Sequence, residues 1–251
     1  MPVATPNWRR KDGWVNPKPL MKPHRIAFAA CAVLAAFPAL GADSFGRQWM
    51  EHYYQHPSPE ALVQGVCSLN DDGYFEDPAQ QDAALGFFST VFQQNPKLVD
   101  HWLRESRFLP LPARRTLAIA AWIAGDPAGA RQVRELFGTF KYPVRAEVDR
   151  LLAAGPVSAA QTPVISTASM NMRWGAFLAS GDERHIVSVL EALGSNEAGL
   201  ATSARFALAQ DAASHPRVLE ICREQLDRQP QPIRAELRAV VDDAAVQKPR
   251  A

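Results

Sequence analysis

The 251-residue chain has 27 basic and 26 acidic residues, a formal net charge of +1, and 47% hydrophobic residues. That length builds one domain or one short solenoid. The near balance of charge excludes a global electrostatic pull toward nucleic acid or an anionic membrane.

Residues 1–20 contain Pro2, Pro6, Pro17 and Pro19 without apolar periodicity and are expected to be a disordered upstream extension, so translation can be read from Met1 or Met21. Residues 21–42 have the parts of a signal peptide: a basic flank at Lys22, His24 and Arg25, an uncharged run over 26–40, and a small-residue exit at Gly41 and Ala42. The run is shorter than the roughly 20 residues of a membrane-spanning helix, and Pro38 would break a helix near the exit. Cleavage is expected after Gly41 or Ala42. It would remove six basic residues and one acidic residue, leaving 21 against 25, a net of −4. A mildly acidic exported domain, periplasmic or secreted and without a stable span, is the expectation. A membrane-tethered adaptor that keeps 26–40 is the alternative.

After position 42 nearly every segment has helical spacing and none alternates as a strand does. The first helix is expected over 45–56 and the second over 60–69, followed by the breaking loop Asn70-Asp71-Asp72-Gly73. Four helical hairpins are then expected: 79–94 with 96–105, 113–124 with 127–137, 169–179 with 183–193, and 201–212 with 216–227. A helix over 143–154 and a Ser/Thr/Pro-rich loop separate the second hairpin from the third, and 232–245 closes the domain before a tail at 246–251. Ser58-Pro59, Asp77-Pro78 and Asp126-Pro127 each place a capping residue before a proline that can occupy the first helical position. Gly125-Asp126 and Gly181-Asp182 end one helix and cap the next. Gly175, inside a helix, predicts close approach of a neighbour. Cys67 and Cys222 lie on apolar faces, as two buried thiols or one disulfide.

The expected fold is therefore all-α: stacked antiparallel helical hairpins. Over 79–227 this pattern resembles tetratricopeptide-type α-solenoids, without their full consensus. The block Trp174-Gly175-Ala176-Phe177-Leu178-Ala179-Ser180-Gly181-Asp182 resembles one in uncharacterised secreted bacterial helical-repeat proteins. The resemblance implies a scaffold that binds something and carries no catalytic residues with it.

Three constellations bear on function. Arg104, Arg107, Arg114 and Arg115 gather near Trp102, with Arg131 and Arg134 one helix later; stacked hairpins would join them into a cationic strip for carboxylates or phosphates. His52 and His56 lie four apart, a spacing that can put two imidazoles on one helical face for zinc, but no third ligand is evident and Glu51 precedes the first His. The acidic loop 70–77 fails as a calcium loop: with Gly73 at the required glycine, Ser68 and Ala79 fall on ligand positions. No nucleophile elbow or phosphate-cradling glycine loop is present. The expectation is a protein- or peptide-binding scaffold with no cofactor and no chemistry of its own. A metal-dependent helical hydrolase is the alternative.

Overall fold

Local capping sets where the helices begin. Asp77 accepts from the backbone N–H of Ala79 at 2.8 Å and of Gln80 at 3.3 Å, Asp126 from Ala128 at 2.7 Å, and Asp182 from Arg184 at 3.0 Å. Each contact satisfies a donor that the first helical turn would leave open, which stabilises a helix by about 1 kcal/mol. Gly181 closes the preceding helix with φ 67° and its N–H on the Phe177 carbonyl at 2.7 Å. Ser58 does otherwise: it makes no cap hydrogen bond, and its hydroxyl accepts from the Trp49 indole at 3.0 Å.

The computed structural model of the chain describes residues 44–197 and 199–247. The expected extension, the signal peptide and positions 248–251 lie outside the described residues. Among the described residues there are twelve α-helices and no strand. In order these are α1 (Phe45–His52), α2 (Leu62–Asp71), α3 (Pro78–Gln94), α4 (Val99–Glu105), α5 (Leu111–Ile123) and α6 (Pro127–Phe137). The second half comprises α7 (Val144–Ala154), α8 (Thr167–Ser180), α9 (Glu183–Glu191), α10 (Leu200–Ser214), α11 (Pro216–Gln225) and α12 (Gln231–Gln247). The last helix thus takes in Val246 and Gln247, two positions expected in the tail. None of the described helices is long and apolar enough to cross a membrane.

Chain neighbours pack against each other in three places: α5 on α6, α8 on α9, and α10 on α11. The first expected pair is arranged differently. Helix α3 makes its main contacts with α8 and α5, whereas α4 rests on α5 and α2. The α3–α8 crossing is the most extensive helix contact among the described residues, and glycine makes it possible. A Cβ built on Gly175 would lie 1.8 Å from the Ala83 carbonyl oxygen, and one on Gly86 would lie 1.9 Å from that of Met172. Each helix therefore presses a backbone carbonyl into the notch left by the other's missing side chain.

Aromatic rings fill the space beside this crossing. Phe87, Phe88 and Phe92 on α3 are fully buried. Trp49 meets Phe87 edge-on at 5.2 Å and Tyr53 at 5.4 Å, while Phe87 meets Phe88 at 5.2 Å and 90°. Edge-to-face contacts of this kind add about 0.5–1.5 kcal/mol each to the burial of the rings. The loop before α8 is tied down by Arg173, a buried residue whose guanidinium donates to the Thr162 carbonyl from Nε at 3.2 Å and Nη2 at 2.7 Å.

Cys67 and Cys222 are free thiols. Cys222 is fully enclosed, and burial, with the Asp211 carboxylate nearby, pushes its thiol up to about 12. It is packing material rather than a nucleophile.

Candidate functional site

Helix α4 ends at Glu105, and a 3-10 turn, Ser106–Phe108, redirects the chain into α5. Leu109 fastens this bend by donating its N–H to the Ser106 carbonyl at 3.1 Å. Because α6 packs on α5, the bend, α5 and α6 enclose a pocket of about 190 Å³. Leu103, Leu117 and Leu136 supply its apolar lining; Arg104, Arg107 and Arg114 supply three guanidiniums against the single carboxylate of Glu135.

Two features distinguish this pocket from an ordinary solvated basic face. Arg107 and Arg114 make no ion pair or hydrogen bond among the described residues, so both forks are free to bind. Ser106 also lines the pocket, is only 2% exposed, and its hydroxyl has no hydrogen-bond partner among the described residues. A buried hydroxyl without a partner costs about 1–3 kcal/mol, and such orphans in folded proteins call for a ligand or an ordered water. Two guanidiniums beside a donor hydroxyl suit an oxyanion, since an arginine fork matches a carboxylate or phosphate with paired N–H bonds.

The remaining residues of the expected strip are dispersed by the fold. Arg104 is paired with Asp100 one turn earlier, and Arg131 reaches the same carboxylate from α6 at 3.3 Å. Both pairs are exposed, so they hold the arginines in place with little energy. Arg115 does not line the pocket; its guanidinium lies 5.1 Å from the Phe137 ring and 4.7 Å from that of Phe140. Arg134 is exposed and does not line the pocket. Trp102 is 3% exposed and stacks on Phe92 at 5.6 Å, so it belongs to the core rather than to the strip. Ser106 was not flagged by its sequence context, although its spacing of three from Leu103 puts it on the inward side of the bend.

His52 and His56 line one shallow depression with Phe45, Gln48, Trp49 and Ser58. The Nδ1 of His52 lies 2.9 Å from the Gln48 carbonyl, which can only accept, so that nitrogen carries the proton. No group of three or more His, Cys, Asp or Glu side chains among the described residues is arranged to hold a metal. In the acidic loop, Asp72 is engaged by Ser44 and Arg47, and Asp77 caps α3.

A second set of polar side chains lies inside the helical body. Burial holds His185 and His215 at about 4, well below the usual imidazole, with Arg173 reinforcing the effect at His185 and His52 at His215. His215 rests edge-on against Trp174 at 5.1 Å. Asp211, one turn before it on α10, is pushed up to about 8 by burial. Asp211 was also missed in the sequence, where one signal was available: it continues the stripe Leu200, Ala204, Leu208, so a carboxyl stands where an apolar residue is due.

In comparisons with known proteins, no family model, curated protein or solved structure matches the chain.

Proposed function

We propose that this protein is an exported, periplasmic scaffold, a short solenoid of stacked antiparallel helical hairpins of the tetratricopeptide type, that binds a protein or peptide partner through an acidic side chain of that partner. The observation that carries the reading is the Arg107–Arg114–Ser106 pocket, with two uncommitted guanidiniums and a buried hydroxyl without a partner. A carboxylate entering there would engage both guanidinium forks. The fastened bend holds Ser106 and Arg107, and α5 holds Arg114, which limits the ordering cost of binding. The apolar lining from three leucines suits the methylene stem of a glutamate.

Binding of a fluorescein-labelled peptide of alternating Glu and Leu, read by anisotropy, tests the pocket. The Glu peptide should bind, its Gln counterpart should bind at least tenfold more weakly, and reversal of Arg104, Arg107 and Arg114 to Glu should abolish the difference. Raising salt from about 50 to 300 mM should weaken the Glu peptide alone, because the pocket is open to screening ions. Equal binding of the two peptides, or a triple variant that still prefers Glu, would refute the reading. Export is checked separately. The N-terminus of protein recovered from the periplasm should begin at Ala42 or Asp43; an intact 26–40 segment would favour the tethered adaptor instead.

A further inference from the structure

A second cavity, of about 150 Å³, lies between α8, α9 and α10. Its walls are mostly apolar, with Ile186 and Val189 from α9 and Trp174 from α8, and Phe206 of α10 stands 71% exposed at its edge. A cavity of this size in an apolar interior admits a ligand of about the volume of benzene. One ionisable group lines it, Asp211, whose side chain makes no hydrogen bond or ion pair among the described residues. The other polar side chains in the wall are the neutral amides of Asn171 and Gln210 and the indole of Trp174.

We infer that this cavity is a binding site for a small alkylammonium ion, with Asp211 as its counter-ion and Trp174 and Phe206 as its aromatic walls. The chemistry of the lining selects the ligand. A carboxyl and aromatic rings both attract a cation, and the aliphatic wall accepts a chain of four or so carbons but would strip a strongly hydrated anion of its water without return. The site is separate from the arginine pocket, which takes the opposite charge, and does not depend on it.

Proton balance gives the site a signature. Desolvation in the cavity wall pushes the Asp211 carboxyl up to about 8, which favours its neutral form at pH 7; the Cys222 thiol of α11, near enough to feel its charge, is itself pushed up to about 12. Binding of an ammonium ion forms an ion pair with the Asp211 carboxylate, and the carboxyl proton leaves to solvent. One proton is therefore released for each cation bound.

The test is calorimetric titration with n-butylammonium at pH 7 in two buffers of different ionisation enthalpy. The wild-type protein should bind it and release close to one proton. Asp211→Asn, which keeps the shape and removes the charge, should bind roughly tenfold to a hundredfold more weakly and release none. Phe206→Ala, at an exposed position, should fold normally and bind about two- to fivefold more weakly. n-Butanol, of similar shape, should bind at least tenfold more weakly than the amine. Equal affinity for butanol and butylammonium, undiminished binding by Asp211→Asn, or no binding by the folded wild-type protein would each overturn the inference.

Discussion

Gly175→Ala is expected to destabilise the protein by about 4 kcal/mol or more. The added methyl would fall 1.8 Å from the Ala83 carbonyl oxygen and 2.9 Å from the Phe87 amide nitrogen. Both are backbone atoms inside α3, so no side chain can rotate away, and relief requires the α3–α8 axes to separate by more than 1 Å. Separation would loosen the fully buried rings of Phe87, Phe88 and Phe177 together, and close packing makes that costly. The experiment is decisive because helix propensity points the other way: alanine in place of glycine within an exposed helix would stabilise by about 1 kcal/mol. Urea unfolding followed by circular dichroism separates the two. A midpoint unchanged or raised by Gly175→Ala would mean that α3 and α8 do not cross at this distance. Gly86→Ala, whose methyl would lie 1.9 Å from the Met172 carbonyl oxygen, should act alike from the other side of the same contact.

The second large effect is a pair of opposed pH dependences. Asp211 has a folded pKa of about 8, above its ordinary value. In the window between roughly pH 4 and 8 the unfolded chain ionises this carboxyl and the folded one does not. Stability from Asp211 is therefore complete below pH 4 and is lost as pH rises through 8, by on the order of 5 kcal/mol across the window. His185 and His215, held at about 4, work in the other direction. They are neutral in the folded state, so below about pH 6.5 the unfolded chain gains protons that the folded chain refuses. Each contributes stability above pH 6.5 that falls away toward pH 4, by about 3 kcal/mol. Measured against wild type, Asp211→Asn should become progressively more stable as pH rises from 4 to 8. His215→Phe, which preserves a ring against Trp174, should become progressively more stable as pH falls from 6.5 to 4. Parallel stability curves for wild type and either variant would show that the replaced group is hydrated in the folded protein.

Much of the helical layout was legible before any tertiary contact was known. The starts of α3 and α6 follow from Asp77-Pro78 and Asp126-Pro127, and the break between α8 and α9 from Gly181-Asp182. These signals are local: a carboxylate bonds to an amide two or three residues away, and a glycine turns left-handed where no other residue does so cheaply. Ser58 shows the limit of such signals. Its hydroxyl had two possible partners, a nearby amide and the Trp49 indole, and packing chose the indole.

The candidate site was half legible. The sequence brought arginines near one bend, yet it could not sort them. Arg107 and Arg114 face the pocket, Arg115 lies against Phe137 and Phe140, and Trp102 turns into the core. Neighbouring positions on a helix point about 100° apart, so adjacent arginines such as 114 and 115 meet different surroundings, and which surroundings those are depends on where α6 lies.

Sequence by itself determined the all-helical class, the caps and the apolar faces, because hydrogen bonds between near neighbours and helical periodicity act within one or two turns. Tertiary structure alone decided that α3 would cross α8, that Ser106 would lose its water, and that Asp211, His185 and His215 would be held neutral. Each of these depends on what covers a face, and the covering helix comes from a distant part of the chain or around a bend whose direction periodicity does not encode.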